Sequence, residues 1–542
     1  MTTPRTTLAK LKIIAAASAV ASLAIPSGHA APEYAPAPTP TESQPSAENS
    51  SSAASDAANT SVPLEPLPDA NVLAKRMVDH QDIYAKIRDD ALAAYAKQHP
   101  NPAPFDDEAH AALRLLAYLN VWGDYYGEGL WQQFGAHAKN LEGEDANVAV
   151  WTTQWRAHQF EKFITDDEPS AEEATHGAID FSTAPYPALF KFRSLEMALQ
   201  NLLSARTAHK IDGLDSAAFK EVPHLIDLAT QAYQQLIREH LPDDLLFDEG
   251  AGFLSVVSSD ETLLDSVSTA LDNAFAAAAS GDPLAQVLKA EFHTTDAWRA
   301  RGSGYAKSVS SRGWLGFHSH IDQAAQILDA VYTAHPNQPS VPLVMMKVVL
   351  DKPNSDAEME EWFQRGLKLN ADTFPLYRAK RWYLMPQWHG RGSERIIWEF
   401  GLSCVATNDW SHKTPLILLQ ADHDPVRRNP AFYAYGEIWT ALERTFRDYL
   451  QRFPNSVEYR TFFLECAVKG GHWKVAAEQF ALLGNHWDRA MLTGDAYTRL
   501  SHAITEHRDE AEAPSQPAPA FAPQDSQSAP PPSAPAPLPP QD

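Results

Sequence analysis

What most narrows the folds open to this chain is a spacing that comes back five times in its C-terminal half. A small or apolar residue is followed four positions on by a bulky one, three further by a small or apolar one, and five further by a position that ends the helix. Ala324, Leu328, Val331 and Pro336 make one instance, and Met359, Phe363, Gly366 and Ala371 the next. Glu394, Trp398, Gly401 and Ala406 follow it loosely, and Leu442, Phe446, Tyr449 and Pro454 keep it. Ala476, Phe480 and Leu483 keep its first three positions. Steps of four and three place side chains on one face of an α-helix. Successive starts lie 35, 35, 48 and 34 residues apart. A unit that returns at a near-constant distance is a structural repeat, each copy hiding its apolar face on the next.

A period of about 34 residues is that of the tetratricopeptide repeat, and the spacing is that of its second helix. The first-helix signature of Trp, Leu-Gly and Tyr is not kept. The long interval carries an insertion, "NDWSHKTPLILLQADHDPVRRNP", read as a loop. Elsewhere the body reads as helix. "ANVLAKRMVDHQDIYAKIRDDALAAYAKQ" spaces Leu73, Met77, Ile83 and Ile87 for one face. "EVPHLIDLATQAYQQLIREHLP" starts with a proline in its first turn and stops before Pro242, and "DETLLDSVSTALDNAFAAAAS" has a charged start and a "GDP" stop. Period-2 alternation is missing from these runs. The expected fold is all-α: stacked helical hairpins in a tetratricopeptide-like α-solenoid, with an irregular helical region at 69–297 and the repeats at 298–508.

The ends read differently. Arg5, Lys10 and Lys12 precede an Ala-rich apolar stretch from Ile13 to Ile25, and Gly28 and Ala30 offer the small residues a signal peptidase reads. Residues 1–30 thus have the pattern of a cleaved secretory leader; the competing reading, an uncleaved anchor, needs a longer stretch to cross about 30 Å of hydrocarbon. The chain is then expected in the periplasm or secreted, without a membrane span after cleavage. Residues 31–68 and 509–542 are Pro-, Ala- and Ser-rich, with too little apolar surface to offset ordering, and are expected as a disordered linker and tail. A formal net charge of −25 argues against nucleic acid as a partner, since phosphate repels such a surface. In an oxidising compartment Cys404 and Cys466 are either a disulfide, closing a span of 62 residues and worth ~4 kcal/mol, or two buried thiols.

Three stretches carry a resemblance. "ARGSGYA" within "WRARGSGYA", "YLMPQWHG" and "CAVKGG" place Arg301–Ala306, Tyr383–Gly390 and Cys466–Gly471. With the helical runs around them they resemble a group of exported bacterial proteins with tetratricopeptide-like repeats and a domain of unknown function. The likeness covers 298–487, under half the chain. It departs at Gln387, where a cation is usual, at His389, where a glycine is, and at the late stretch, which lacks the usual acid. What it implies is architecture and export; it brings no catalytic residue.

The densest candidate chemistry is "RWYLMPQWHGRG", Arg381 to Gly392. The repeat phase puts Phe374 to Met385 in a first helix and Pro386 to Gly392 in its exit turn. Pro386 removes a helix donor, and Gly390 and Gly392 supply turn conformations. Trp382, Tyr383 and Trp388 are expected to wedge between neighbouring hairpins, with Arg301, Trp382, Trp388, His389 and Arg391 as the candidate binding residues. "ARGSGYA" lacks the spacing and the lysine of a phosphate loop. His318 and His320 stand two apart, about 200° on a helix, so they do not chelate one ion together. Asp422, His423 and Asp424 in the insertion have ligand types but no third partner at a definable spacing. No hydrolase or zinc motif occurs. No cofactor or metal is expected. The expected function is a non-enzymatic scaffold for a protein or peptide partner, basic or neutral in character; the alternative is an envelope enzyme of unassigned class with its site near 381–430.

Overall fold

The computed structural model describes residues 75–123, 129–141, 171–207, 217–302, 308–370, 372–386, 388–390, 394–421, 433–488 and 491–507. The proposed leader, linker and tail, and Ala371, Gln387, Arg391 and His423, lie outside the described residues. Among those described there are helices and no strands. The N-terminal half holds α1 (Lys75–Asp79), α2 (Gln81–Gln98), α3 (Asp106–Trp122), α4 (Leu130–Asn140), α5 (Ala171–Thr183), α6 (Ala188–Thr207), α7 (Ala217–Lys220), α8 (Val222–Arg238), α9 (Asp243–Val256) and α10 (Glu261–Ala278). The C-terminal half holds α11 (Pro283–Arg301), α12 (Ser311–Ala334), α13 (Val341–Val349), α14 (Asp356–Leu369), α15 (Phe374–Tyr383) and α16 (Glu394–Ala406), then α17 (Leu416–Ala421), α18 (Gly436–Arg452), α19 (Val457–Lys469), α20 (Trp473–Leu483) and α21 (Gly494–Glu506).

Local chemistry sets these boundaries. Asp260 caps α10 by accepting from the N–H groups of Thr262 and Leu263, and Asp282 caps α11 ahead of Pro283. Ser310, Ser456 and Thr493 do the same for α12, α19 and α21. Gly302, at φ +76°, closes α11 in a conformation that a side chain would strain. The 75–98 stretch, read from sequence as one helix, breaks at His80. That buried ring lies between α1 and α2, its Nε2 3.1 Å from Asp244 Oδ1 of α9.

The apolar stripes are where the spacing put them. In α8, Leu225, Ala229, Tyr233 and Leu236 are buried together. Ala324, Leu328 and Val331 are buried in α12; Met359, Phe363 and Gly366 in α14; Leu442, Phe446 and Tyr449 in α18. Each such large side chain contributes ~1.5–3 kcal/mol by leaving water. The helices carrying these triads stop at Ala334, Leu369 and Arg452, each two residues before the expected end position. One continuous core runs from Met77 to Tyr497. From α11 onward the main packing joins helices adjacent or next but one in sequence, and α11 on α12 is the most extensive pair. Trp298 sits in the last turn of α11, so the regions divided at that position share a helix.

The insertion expected as a loop is a correction. Its "LILLQA" forms α17, and Leu416, Ile417, Leu418 and Leu419 are all buried. Four consecutive apolar residues in a helix cover every face, which suits only an element enclosed by others. No helix among the described residues is long and apolar enough to cross a membrane.

Candidate functional site

The turn after α15 is built by backbone before side chains matter. Leu384 closes the helix, and Met385 carbonyl oxygen accepts from Trp388 N (2.9 Å) and Gly390 N (3.1 Å), folding the chain back on itself. A Cβ on Gly390 would lie 2.3 Å from Leu384 O and 2.9 Å from the Met385 carbonyl carbon, so close backbone approach demands glycine here. His389 N donates to Tyr383 O at 3.2 Å, which lays the imidazole on the Tyr383 ring, 3.9 Å between centroids and 3° from parallel. The His389 Nε2–H then donates to the Leu350 carbonyl at the end of α13 (2.8 Å). Tyr383 is buried and donates its hydroxyl proton to Asp356 Oδ1 (2.8 Å), with Ser355 Oγ 3.0 Å away.

Trp388 takes the other side of the turn. It meets Trp298 of α11 edge to face (5.4 Å, 80°) and Trp382 at 6.2 Å. Trp298 and Arg301 share a face of α11, being three residues apart, and Trp314 stands one turn into α12. Their indoles and Trp388 surround Arg301, whose Cζ lies 5.4, 5.3 and 5.6 Å from the Trp298, Trp314 and Trp388 rings. That distance range allows cation–π attraction from each ring. Burial lowers the pKa of the guanidinium from its usual value; Nη1 donates to Gly302 O (3.0 Å). Trp388 Nε1 is buried with no hydrogen-bond partner among the described residues. Trp382 leaves 39% of its surface in solvent beside this cluster.

A half-open cavity of about 340 Å³ adjoins the stacked His389 and Tyr383. Its lining combines the apolar Met359, Leu384 and Ile396 with the polar Asp356, Glu360, Lys380, Tyr383 and His389. Lys380 is committed, donating to Glu360 and lying 4.2 Å above the Phe363 ring. Burial pushes the Glu360 carboxyl up, but hydrogen bonds from Lys380 and Gln364 outweigh it and hold the group below its usual range.

Four of the sequence candidates therefore meet at one joint: Arg301, Trp382, Trp388 and His389. Arg391 and His423 lie outside the described residues. His318 and His320 point apart: His318 Nδ1 is 2.8 Å from Asp351 Oδ2, and His320 Nε2 is 3.1 Å from Asp296 Oδ2. No group of three metal-ligating side chains that could hold an ion occurs among the described residues. Cys404 in α16 and Cys466 in α19 stand as buried thiols, not as a disulfide, and burial pushes the Cys404 thiol up to about 12. Sequence reading missed Trp314, Asp356, Glu360 and Lys380. Asp356 and Glu360, four apart at the start of α14, carry the one legible signal, a shared helix face; the others come near only through packing. Compared with protein families, curated proteins and solved structures, the chain finds no match.

Proposed function

We propose that this protein is an exported scaffold of tetratricopeptide-like stacked hairpins that holds a protein or peptide segment at the joint after α15, and performs no reaction of its own. The observation that carries the reading is one turn that presents a half-exposed indole, Trp382, against Trp388 and, through His389, borders a half-open cavity lined by both carboxylates and apolar side chains. An exposed Trp next to partly buried aromatic neighbours is the type of anchor that dominates binding energy at interfaces. The carboxylates and the net charge of −25 favour a segment carrying Lys or Arg. Export rests on the leader pattern of residues 1–30, and the stacked-hairpin architecture on the recurring spacing together with packing between helices near in sequence.

An enzyme is the second reading, favoured by the convergence of Asp356, Glu360, Lys380, Tyr383 and His389 on that cavity. Two of these are spent on holding the turn: the Tyr383 hydroxyl on Asp356 and His389 Nε2 on the Leu350 carbonyl. The chain should be panned against a random peptide display library in parallel with Trp382→Ala and Asp356→Asn. Enrichment of sequences that combine a cation with an aromatic or branched apolar residue, weakened at least tenfold by both substitutions, is expected. Binders indifferent to both, or no enrichment, would overturn the assignment.

A further inference from the structure

Helix α11 hides an unusual set of polar side chains. Glu291, His293, Thr294 and Asp296 are all buried within two turns, between Ala290 and Ala297. Buried polar groups require partners. Glu291 has Lys347 of α13, and Thr294 donates to the Glu291 carbonyl (2.9 Å). His293 instead reaches across to α12, where its Nδ1 lies 3.2 Å from Nδ1 of His320. His320 Nε2 is 3.1 Å from Asp296 Oδ2, and Arg299 Nε donates to Asp296 Oδ1. The result is a carboxylate–imidazole–imidazole chain tying two helices together.

The shape of the contact says what sits between the rings. The imidazole centroids are 5.5 Å apart, and the excess over the nitrogen separation is what two ring radii occupy. The two nitrogens therefore face each other along the line of centres. A metal ion held in line between them would need about 4 Å, twice a bond of ~2.0–2.1 Å, and a tetrahedral one would need converging lone pairs. A single N–H···N hydrogen bond fits. In the neutral pair His320 gives its Nε2–H to Asp296 and its Nδ1 accepts from His293. One added proton is tolerated: it enters at His293 Nε2 while the bridging proton passes from His293 Nδ1 to His320 Nδ1, so the charge rests on the imidazolium paired with Asp296 and the single bridging hydrogen now points at His293. A second cannot be accommodated, because both Nδ1 atoms would carry hydrogens aimed at each other.

We propose that Asp296, His320 and His293 form a proton-operated latch between α11 and α12, closed with at most one added proton and opened by the second. These are the helices that carry Trp298, Arg301 and Trp314, so opening would loosen the cage described above; the latch itself does not depend on what that joint binds. The other charges near it are mostly paired: Lys289 with Asp272 and Arg299 with Glu261 on α10, Lys347 with Glu291, His318 with Asp351, and Glu249 of α9 with Arg193. Burial first, then His320 and Lys289, hold the pKa of His293 down to about 4 against the pull of Asp296.

The whole chain, labelled with ¹⁵N-histidine, should be titrated from pH 7.5 to 3.5 by NMR, with hydrogen exchange followed in 283–301, 311–334 and the control segment 457–469. The expected result is a scalar coupling between the two Nδ1 atoms at neutral pH, lost in acid together with an at least tenfold rise in opening of 283–301 and 311–334, intrinsic exchange having been divided out. The control segment should keep its protection over that interval. His293→Leu, and separately His320→Gln, should abolish the acid-induced opening; the wild-type titration decides the matter even where a variant folds poorly. Absence of the coupling at every pH, second-proton uptake without opening, or loss of protection in all three segments together would overturn the latch.

Discussion

Replacing Arg301 by Met, Trp388 by Leu, and both together, measures how firmly the turn after α15 is fastened to the end of α11. Met keeps most of the stem volume and removes the charge. The guanidinium carbon lies 5.6 Å from the Trp388 ring, near the outer edge of the useful range, and at similar distances from Trp298 and Trp314. An exposed cation–π contact is worth about 0.5–1 kcal/mol and a desolvated one about 2. Arg301 is half-buried, so three rings should give a total loss of about 2–3 kcal/mol for Arg301→Met. Trp388→Leu should cost about 2–4 kcal/mol, the Trp298 edge contact included. The coupling energy of the cycle isolates the pair and should be about 0.5–1 kcal/mol. A chain this long need not unfold in one step, so the readout is native-state hydrogen exchange of 283–301 and 311–334 in each of the four proteins. Strict additivity, or a stabilising Arg301→Met, would refute the caging of Arg301 by the three indoles as a source of cohesion.

Four further outcomes are expected. Gly390→Ala should lower stability by about 2–3 kcal/mol, seen as a fall in melting temperature, since its methyl meets backbone that cannot swing aside. Lys347→Met strands the buried Glu291 carboxylate and should cost about 3–5 kcal/mol, with Glu291→Gln in the same chain recovering most of it in urea titrations. His293 stays neutral in the fold while its unfolded counterpart takes a proton below 6.5, so stability should fall as pH drops from 6.5 towards about 4. The full drop is worth ~3 kcal/mol, reduced to about 1–2 by residual solvent at the ring, and pH-dependent melting of His293→Leu should lack it. Cys404 and Cys466, buried and with the Cys404 thiol near 12, should resist a thiol-disulfide reagent in the native protein and react in full on unfolding.

How far the residues announced their own arrangement differs from element to element. Leu442, Phe446 and Tyr449 were legible as one buried face because a helix places every third and fourth side chain together, whatever surrounds it. Capping residues such as Asp260 and Ser310 were equally local. The "LILLQA" run was misread because its apolar residues are consecutive, and only enclosure by other helices makes such a run a buried helix. The break at His80 has a partner that local pattern does not show: its ring meets Asp244, 164 residues away.

The site divides along the same line. The chain by itself determined that a helix beginning at Phe374 would end before Pro386, that Pro386 and Gly390 would turn it, and that Trp382, Trp388 and His389 would cluster at that turn, because each depends on neighbours within a few bonds; that the helix stops at Tyr383, two residues short of the expected Met385, came from the structure. Tertiary packing alone decided that Arg301 would sit among Trp298, Trp314 and Trp388, that Tyr383 would bond Asp356, and that His293 would face His320. Those meetings join helices whose relative placement is set by the fit of many side chains at once, and no short-range pattern encodes the outcome of that sum.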